Sequence, residues 1–281
     1  MEKPSWLNKK INLAACHGMK NFLRASKLHT VCEESFCPNI SECFNEGVAT
    51  FMILGDSCTR SCKFCAVSKK KPTIIDWNEP KRIAKAIKKL NLRYVVITSP
   101  ARDDINDGGA EFFYRIIEEI KNMDESIKIE ILIPDFLGKS ESLIKIASSK
   151  ADVIGHNLET VPSLYADIRP QADYRRSLAV LKTLKELNKN ILTKSGIMLG
   201  LGEEEKQIKD VLRDLRKSEC DFLTLGQYLA PSLKHYPVKE YVTPAKFLSL
   251  EKTAYGLGFK KVKSSPYSRS SYLASQFLKP A

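Results

Sequence analysis

Short β-branched apolar runs recur along this chain, spaced widely enough to leave room for a helix between most neighbours. They fall at residues 49–54, 94–98, 127–133, 151–154, 191–199 and 221–227. Helical periodicity fills several of the gaps. Residues 79–90 put Ile83, Ile87 and Leu90 on one face and Lys81, Arg82, Lys85, Lys88 and Lys89 around the rest. Residues 203–217 repeat Ile208, Val211, Leu212 and Leu215 at helical spacing, with Glu203, Glu204 and Glu205 in the first turn, where the helix dipole favours acids. Residues 108–121, 173–188 and 244–255 read as further helices, with Asp173 as an N-cap.

Six β/α alternations imply a parallel sheet with crossover helices. Six is short of the eight that close a barrel, so a partial barrel and an open doubly wound sheet both satisfy the pattern. In either, ligands gather at the C-terminal ends of the strands. The chemically informative residues cluster there: Cys58 after the first run, residues 99–104 after the second, Asn157 and Glu159 after the fourth, and residues 200–203 after the fifth. Residues 1–45 and 258–281 fall outside the alternation. The expected organisation is an N-terminal extension, a core over 46–257, and a C-terminal extension.

Composition narrows this further. The 281 residues carry a net charge of +12, which suits an anionic surface, nucleic acid or an acidic protein partner, and equally an ordinary solvated surface. Apolar runs such as 51–54 are only a few residues long, far from the about 18 of a membrane-spanning helix, and the first ten residues lack a secretory h-region. Eight cysteines in a chain read as cytoplasmic point to metal or catalysis rather than to disulfides.

Six of these cysteines form two triplets, Cys32, Cys37, Cys43 and Cys58, Cys62, Cys65. Each is one thiolate short of a closed tetrahedral site. The second is a C-x3-C-x2-C loop with Phe64 before its last cysteine. Three thiolates so close can hold three corners of a cubane and leave the fourth iron open to an outside ligand; the spacing alone also fits three quarters of a zinc site. Cys16 and Cys220 read as inert buried thiols.

The second loop resembles the signature of the radical S-adenosylmethionine (SAM) superfamily, whose partial (β/α)6 barrel agrees with the six units. The resemblance implies that the open iron chelates SAM and that one-electron reduction yields a 5′-deoxyadenosyl radical, with Phe64 near the adenine. From His29 onward the chain is similar to the lipoyl synthase family: TVCEE and then CPNI and EC within 30–43, FMILGDSCTRSCKFCAV at 51–67, TSPARDDINDGG at 98–109, HNLETV at 156–161, RPQADYRRSL at 169–178, SGIMLGLGE at 195–203, QYLAPS at 227–232 and RSSYLA at 269–274. Ser35, Phe36, Phe44 and Leu273 depart from that family's usual pattern, outside the ligand set.

This resemblance implies two 4Fe-4S clusters. The first triplet would hold an auxiliary cluster whose fourth ligand is a serine of the RSSY motif; Ser270 is favoured over Ser271, with Arg269 neutralising the cluster or holding the serine. An alkoxide is a harder, less matched donor to iron than a thiolate, so a serine would be the ligand most easily released. The activity implied is insertion of two sulfurs at C6 and C8 of an octanoyl group on a carrier lysine, the auxiliary cluster giving up its sulfide. The carrier would be a lipoyl domain of a 2-oxo acid dehydrogenase or the glycine cleavage H protein, with flavodoxin or ferredoxin supplying electrons and another carrier rebuilding the cluster. Thr98, Ser99, Asn157 and Glu159 would meet the SAM amino and ribose groups or cap strand ends. Arg175 or Arg102 would meet its carboxylate, and Gly196, Gly200 and Gly202 would allow close approach of the adenine or simply tight packing.

Two rivals remain at this level. A radical-SAM methylthiotransferase acting on tRNA would also use two clusters, but it brings an RNA-binding domain that this sequence does not display. A zinc-stabilised nucleic-acid-binding module would set the basic residues against phosphates. Neither membrane nor nucleic acid is an expected partner on the favoured reading.

Overall fold

The computed structural model describes residues 2–9, 12–46 and 48–278. Its strands are β1 (His29–Thr30), β2 (Thr50–Met52), β3 (Tyr94–Thr98), β4 (Lys128–Leu132), β5 (Val153–Gly155), β6 (Leu192–Leu199), β7 (Phe222–Gln227) and β8 (Lys261–Ser264). They lie in chain order in one sheet. β1 pairs antiparallel with β2, and every other neighbouring pair is parallel. Among the described residues β1 and β8 do not pair, so the sheet curves without closing.

The six expected runs are β2 to β7. Both flanking segments also donate a strand, β1 and β8, which the apolar pattern had not marked. β8 reads Lys-Val-Lys-Ser, and only Val262 joins the hydrophobic core between sheet and helices. Its alternation is real, but the side facing into the barrel is polar, so it looked like tail.

The helices are α1 (Leu13–Ala25), α2 (Val31–Glu34), α3 (Ile40–Asn45), α4 (Glu79–Lys89), α5 (Ala110–Met123), α6 (Ser140–Ala147), α7 (Tyr165–Ile168), α8 (Tyr174–Leu187), α9 (Glu205–Lys217) and α10 (Pro244–Gly256). Their starts follow from local chemistry. Asp107 accepts hydrogen bonds from the Gly109 and Glu111 amides at 2.9 and 2.7 Å and so opens α5. Gly109 sits at φ +94°, and a Cβ there would lie 2.3 Å from Leu54 Cδ1. Asp173 caps α8 through the Arg176 amide at 2.6 Å. Glu204 is the N-cap of α9, in a reciprocal pair with Gln207.

Glu203 therefore falls outside the helix in which the sequence placed it. Its buried carboxylate accepts from the Gly200 and Leu201 amides at 2.5 and 2.8 Å and closes the glycine turn after β6.

Strand alternation divides the two faces of the sheet. Phe51, Ile97, Ile129, Ile131 and Ile154 pack outward with Phe113, Ile116, Ile117 and Ile146 of the helices. Ile197, Leu199, Leu223, Leu225 and Val262 do the same against α9 and α10. The intervening positions, including Glu130, Lys194, Gly196, Thr224 and Lys263, belong to the opposite, concave face.

Candidate functional site

The first triplet is assembled by three short elements. Cys32 is buried on α2, whose start is capped by the Thr30 hydroxyl accepting from the Glu33 amide at 3.4 Å. Cys37 follows Phe36, whose φ of +50° turns the chain back, and the Cys37 amide donates to the Cys32 carbonyl at 3.1 Å. Cys43 sits on α3. A small cavity is lined by Cys32, Cys37 and Cys43 together with Asn39, Thr50, Arg269, Ser271 and Tyr272.

The C-terminal motif closes this cavity. Asn39 Nδ2 donates to the Tyr267 carbonyl at 2.8 Å, and the Tyr272 hydroxyl donates to Glu42 at 2.6 Å. Lys9 donates to Asn39 and Glu42 at 2.7 and 2.6 Å and lies 5.0 Å from the ring centre of Tyr267. Three sequence-distant segments thus meet around one set of thiols. Arg269, half-buried, brings a positive charge to the cavity wall beside Cys37.

The two serines of the motif face different ways. Ser271 lines the cavity. The Ser270 hydroxyl instead accepts from Asn157 Nδ2 at 2.7 Å. The sequence favours Ser270 at the triplet, whereas here the cavity is lined by Ser271 and the Ser270 hydroxyl is engaged by Asn157.

Burial, and next the neighbouring Cys37, pushes both Cys32 and Cys43 up to about 12. These thiols hold their protons at neutral pH until a metal displaces them. Among the described residues no three His, Cys, Asp or Glu side chains stand close enough to share one metal ion. A cubane takes each thiolate on a different iron and needs only a ring of thiols around a common cavity. The donor set of Cys32, Cys37, Cys43 and a cavity-lining serine fits that group.

The second triplet lies on the loop after β2. The loop's base is closed by the Cys58 amide donating to the Ser68 carbonyl at 2.8 Å. Cys58, Cys62 and Cys65 are all half-buried. Arg60 pins the loop from within: it donates to Asp103 at 2.7 and 2.8 Å and to Asp135 at 2.5 Å. Asp135 also accepts from Arg176 at 2.7 Å. Burial pushes Cys62 and Cys65 upward, while the Arg169 guanidinium pulls Cys62 the other way.

The strand-end residues around this loop separate into used and open groups. Thr98 Oγ1 donates to the Leu132 carbonyl at 2.9 Å and is spent on the fold. Ser99 Oγ and Asn157 Oδ1 are buried without a hydrogen-bond partner among the described residues, as a polar ligand's site requires. Glu159 is half-buried at φ +66°, accepts from Asn157 Nδ2 at 3.1 Å, and has its carboxyl pushed up by burial. Phe64 packs against Ile168, Leu201 and Tyr228.

The two arginines expected at a SAM carboxylate have unlike surroundings. Arg102 is buried and fully engaged, donating to the Leu54 and Thr73 carbonyls at 2.8 and 3.1 Å and twice to Asp104. Arg175 is exposed on α8. The buried arginine beside Cys62 is Arg169, which the sequence reading did not single out. It donates to the Leu158 carbonyl at 2.8 Å and to Tyr165 Oη at 3.0 Å, and its Nε has no partner among the described residues.

The glycines are filled from within. A Cβ at Gly200 would lie 2.2 Å from the Glu240 carbonyl, and one at Gly196 would lie 3.0 Å from both Asn157 Oδ1 and Ser270 Oγ. Their immediate role is close packing of the chain on itself.

With this geometry in place, the comparisons with known proteins are specific. Residues 52–215 match the radical SAM superfamily. A lipoyl synthase of Caldicellulosiruptor saccharolyticus is 52% identical over 281 residues, covering 99% of this chain and 98% of the relative. A lipoyl synthase of Geobacter sulfurreducens is 52% identical over 275 residues, covering 98% and 90%. Among solved structures, methylornithine synthase superposes with a TM-score of 0.58 at 16% identity, over 76% of this chain and 71% of that one. Streptococcus suis SuiB bound to S-adenosylmethionine gives 0.58 at 14% identity, over 77% and 50%. At such identities these two likenesses concern the fold alone.

Proposed function

The chain belongs to the lipoyl synthase family of the radical SAM superfamily, and from that premise we propose a division of labour between its two cysteine triplets. The protein is an enzyme that inserts sulfur, and SAM and iron–sulfur clusters are its cofactors. The substrate class is a protein-bound octanoyl group. The rival reading as a tRNA methylthiotransferase is not favoured.

Cys58, Cys62 and Cys65 hold the 4Fe-4S cluster that binds SAM. Cys32, Cys37 and Cys43 hold a second one, with Ser271 as its fourth ligand. When bound, the first group supplies a radical able to take hydrogen from unactivated C6 and C8, and the second supplies the sulfur.

The chain's own residues orient and enclose this chemistry. Arg60, through Asp103 and Asp135, holds the second triplet's loop against the ends of β3 and β4. Arg169 offsets negative charge beside Cys62. Ser99, Asn157 and Glu159 offer polar atoms at the strand ends, where SAM would lie. Arg269 offsets charge at the first triplet. The single observation that carries the division of labour is the cavity in which Ser271 and Arg269 face Cys32, Cys37 and Cys43.

We further propose three functional parts: residues 1–45 with the auxiliary cysteines, a radical SAM barrel over 46–257, and 258–281 with the closing serine motif. The carrier would be an octanoylated lipoyl domain of a 2-oxo acid dehydrogenase or the glycine cleavage H protein. Flavodoxin or ferredoxin would donate electrons, and a cluster carrier would restore the consumed sulfide. Among the described residues no helix is long and apolar enough to cross a membrane. The setting would be cytoplasmic, where thiols stay reduced, and all eight cysteines are free thiols.

The test is incubation of the anaerobically reconstituted enzyme with an octanoyl-lysine peptide, SAM and dithionite, followed by mass spectrometry. A dithiolane product with 5′-deoxyadenosine is expected. Deoxyadenosine without any sulfur-containing product would overturn the reading.

A further inference from the structure

The concave face of the sheet holds an ion pair that the chemistry above leaves without a role. Lys194 on β6 and Glu130 on β4 are 2% and 1% exposed, with Lys194 Nζ 2.8 Å from Glu130 Oε1. Glu130 Oε2 accepts from the Tyr94 hydroxyl at 2.5 Å, so both carboxylate oxygens are engaged. The ammonium donates a second hydrogen bond, 2.6 Å long, to the backbone carbonyl of Ser270. It also lies 4.0 Å from the ring centre of Phe277.

A second lysine reaches the same segment. Lys263 on β8 donates to the carbonyls of Leu273 and Tyr272 at 2.5 and 3.3 Å. The carbonyls on both sides of Ser271 are therefore tied to ammonium groups rising from the sheet. This stretch is turn and not regular helix or strand. Its partly buried carbonyls need donors from somewhere.

We infer that Lys194, held by Glu130, is a positioning residue for the cluster-binding motif: it fixes the Ser270 carbonyl and thereby aims Ser271 at the first cysteine triplet. Stability alone is a poor reason for the pair, since apolar residues of similar volume commonly replace a buried ion pair with no loss or with a gain. What apolar residues cannot supply is a charged donor to one particular carbonyl. The Asn157 bond to the Ser270 hydroxyl fixes the same residue from its other side. The inference rests on the reading of Ser271 as the fourth ligand, and the experiment keeps the two apart.

The test uses the full chain, with Cys58, Cys62 and Cys65 changed to Ala so that only the first triplet binds iron. Four versions are compared: this background alone, and with Ser271→Ala, with Glu130→Leu plus Lys194→Met, or with Lys194→Arg. Each is measured by Mössbauer spectroscopy after reconstitution and, without iron, by amide hydrogen exchange over residues 268–277. The paired apolar variant is chosen because it should fold, leaving no unpaired charge behind. Its exchange over the motif should be about tenfold faster, the scale of one lost hydrogen bond from a charged donor. Its iron spectrum should resemble that of Ser271→Ala, and Lys194→Arg should restore part of the original signal. If Ser271→Ala alters the spectrum while the apolar pair alters neither spectrum nor exchange, or exchange only, the positioning role is wrong. If Ser271→Ala leaves the spectrum unchanged, the ligand reading fails instead, and the anchor stands or falls on exchange.

Discussion

Asn157 Nδ2 lies 2.7 Å from Ser270 Oγ, joining the end of β5 to the C-terminal motif while the next residue, Ser271, lines the cysteine cavity. Two adjacent serines thus have different neighbours. Ser271→Ala should lose sulfur insertion by at least about 100-fold while retaining SAM cleavage, if the hydroxyl completes the iron coordination. Ser270→Ala should cost only about 1 kcal/mol, the net value of one hydrogen bond. Parallel assays of deoxyadenosine and of thiolated product separate the two outcomes.

The triplets themselves should divide in the same way. Cys62→Ala is expected to abolish SAM cleavage and, with it, all product. Cys37→Ala should still cleave SAM and release deoxyadenosine, yet form no dithiolane. Equal loss of both reactions in both variants would contradict separate roles.

Asp135 is 1% exposed and accepts from both Arg60 and Arg176. Burial alone would raise its carboxyl; the two guanidiniums more than offset this and hold it well below the usual carboxylate range. A depressed folded value means stability present above the unfolded pKa of about 3.9 and lost as pH falls below it. Asp135→Asn should cost roughly 1–2 kcal/mol at neutral pH, because two charge-assisted hydrogen bonds are weakened while Arg60 keeps its pair with Asp103. Thermal unfolding at pH 7 checks the magnitude.

His156 offers a second titration in a higher window. Burial, helped by the Arg169 charge, pulls it down to about 4, while its Nδ1 lies 2.9 Å from the Ile133 carbonyl. The unfolded chain takes up that proton near pH 6.5 and the folded one only near 4, so stability falls as pH drops between the two. The full effect is roughly 3 kcal/mol. His156→Gln should flatten this slope in denaturant titrations between pH 4 and 7. An unchanged slope would mean that the imidazole is not held neutral.

The exposed face of α4 bears on partner encounter. Lys81, Lys85, Lys88 and Lys89 are exposed, Lys89 lying over the Phe22 ring, whereas Arg82 is paired with Asp76 at 2.8 Å. Changing Lys81, Lys85 and Lys88 to Gln should slow association with an acidic octanoylated domain several-fold at low ionic strength and hardly at all at high salt. Stopped-flow association rates measured across salt concentrations would reveal it.

Much of this architecture could be read from the sequence because the outward face of the sheet is conventionally apolar. The runs at 94–98 and 221–227 are β3 and β7 to the residue or nearly so. β8 escaped because Lys261 and Lys263 occupy its concave side, where a lysine serves the motif above it. β1 has two residues, too few to show any period. The triplets were legible because thiol spacing is local. Arg102 and Arg169 were not: in both positions the sequence shows only an arginine, and which carbonyls or carboxylates surround it depends on strands and loops far away in the chain. The orientation of Ser270 and Ser271 was hidden for the same reason, since it depends on Asn157, just beyond β5, and on Lys194 of β6.

The first-triplet cavity joins Asn39 to Tyr267 and Glu42 to Tyr272 across more than two hundred residues of chain. A ribosome exposes the three cysteines more than two hundred residues before the closing motif. The pocket therefore has no lid until that motif has emerged. Iron delivered to the nascent chain before then would meet three thiols open to solvent, so on the proposed reading the centre would be completed only once the closing motif has folded over it.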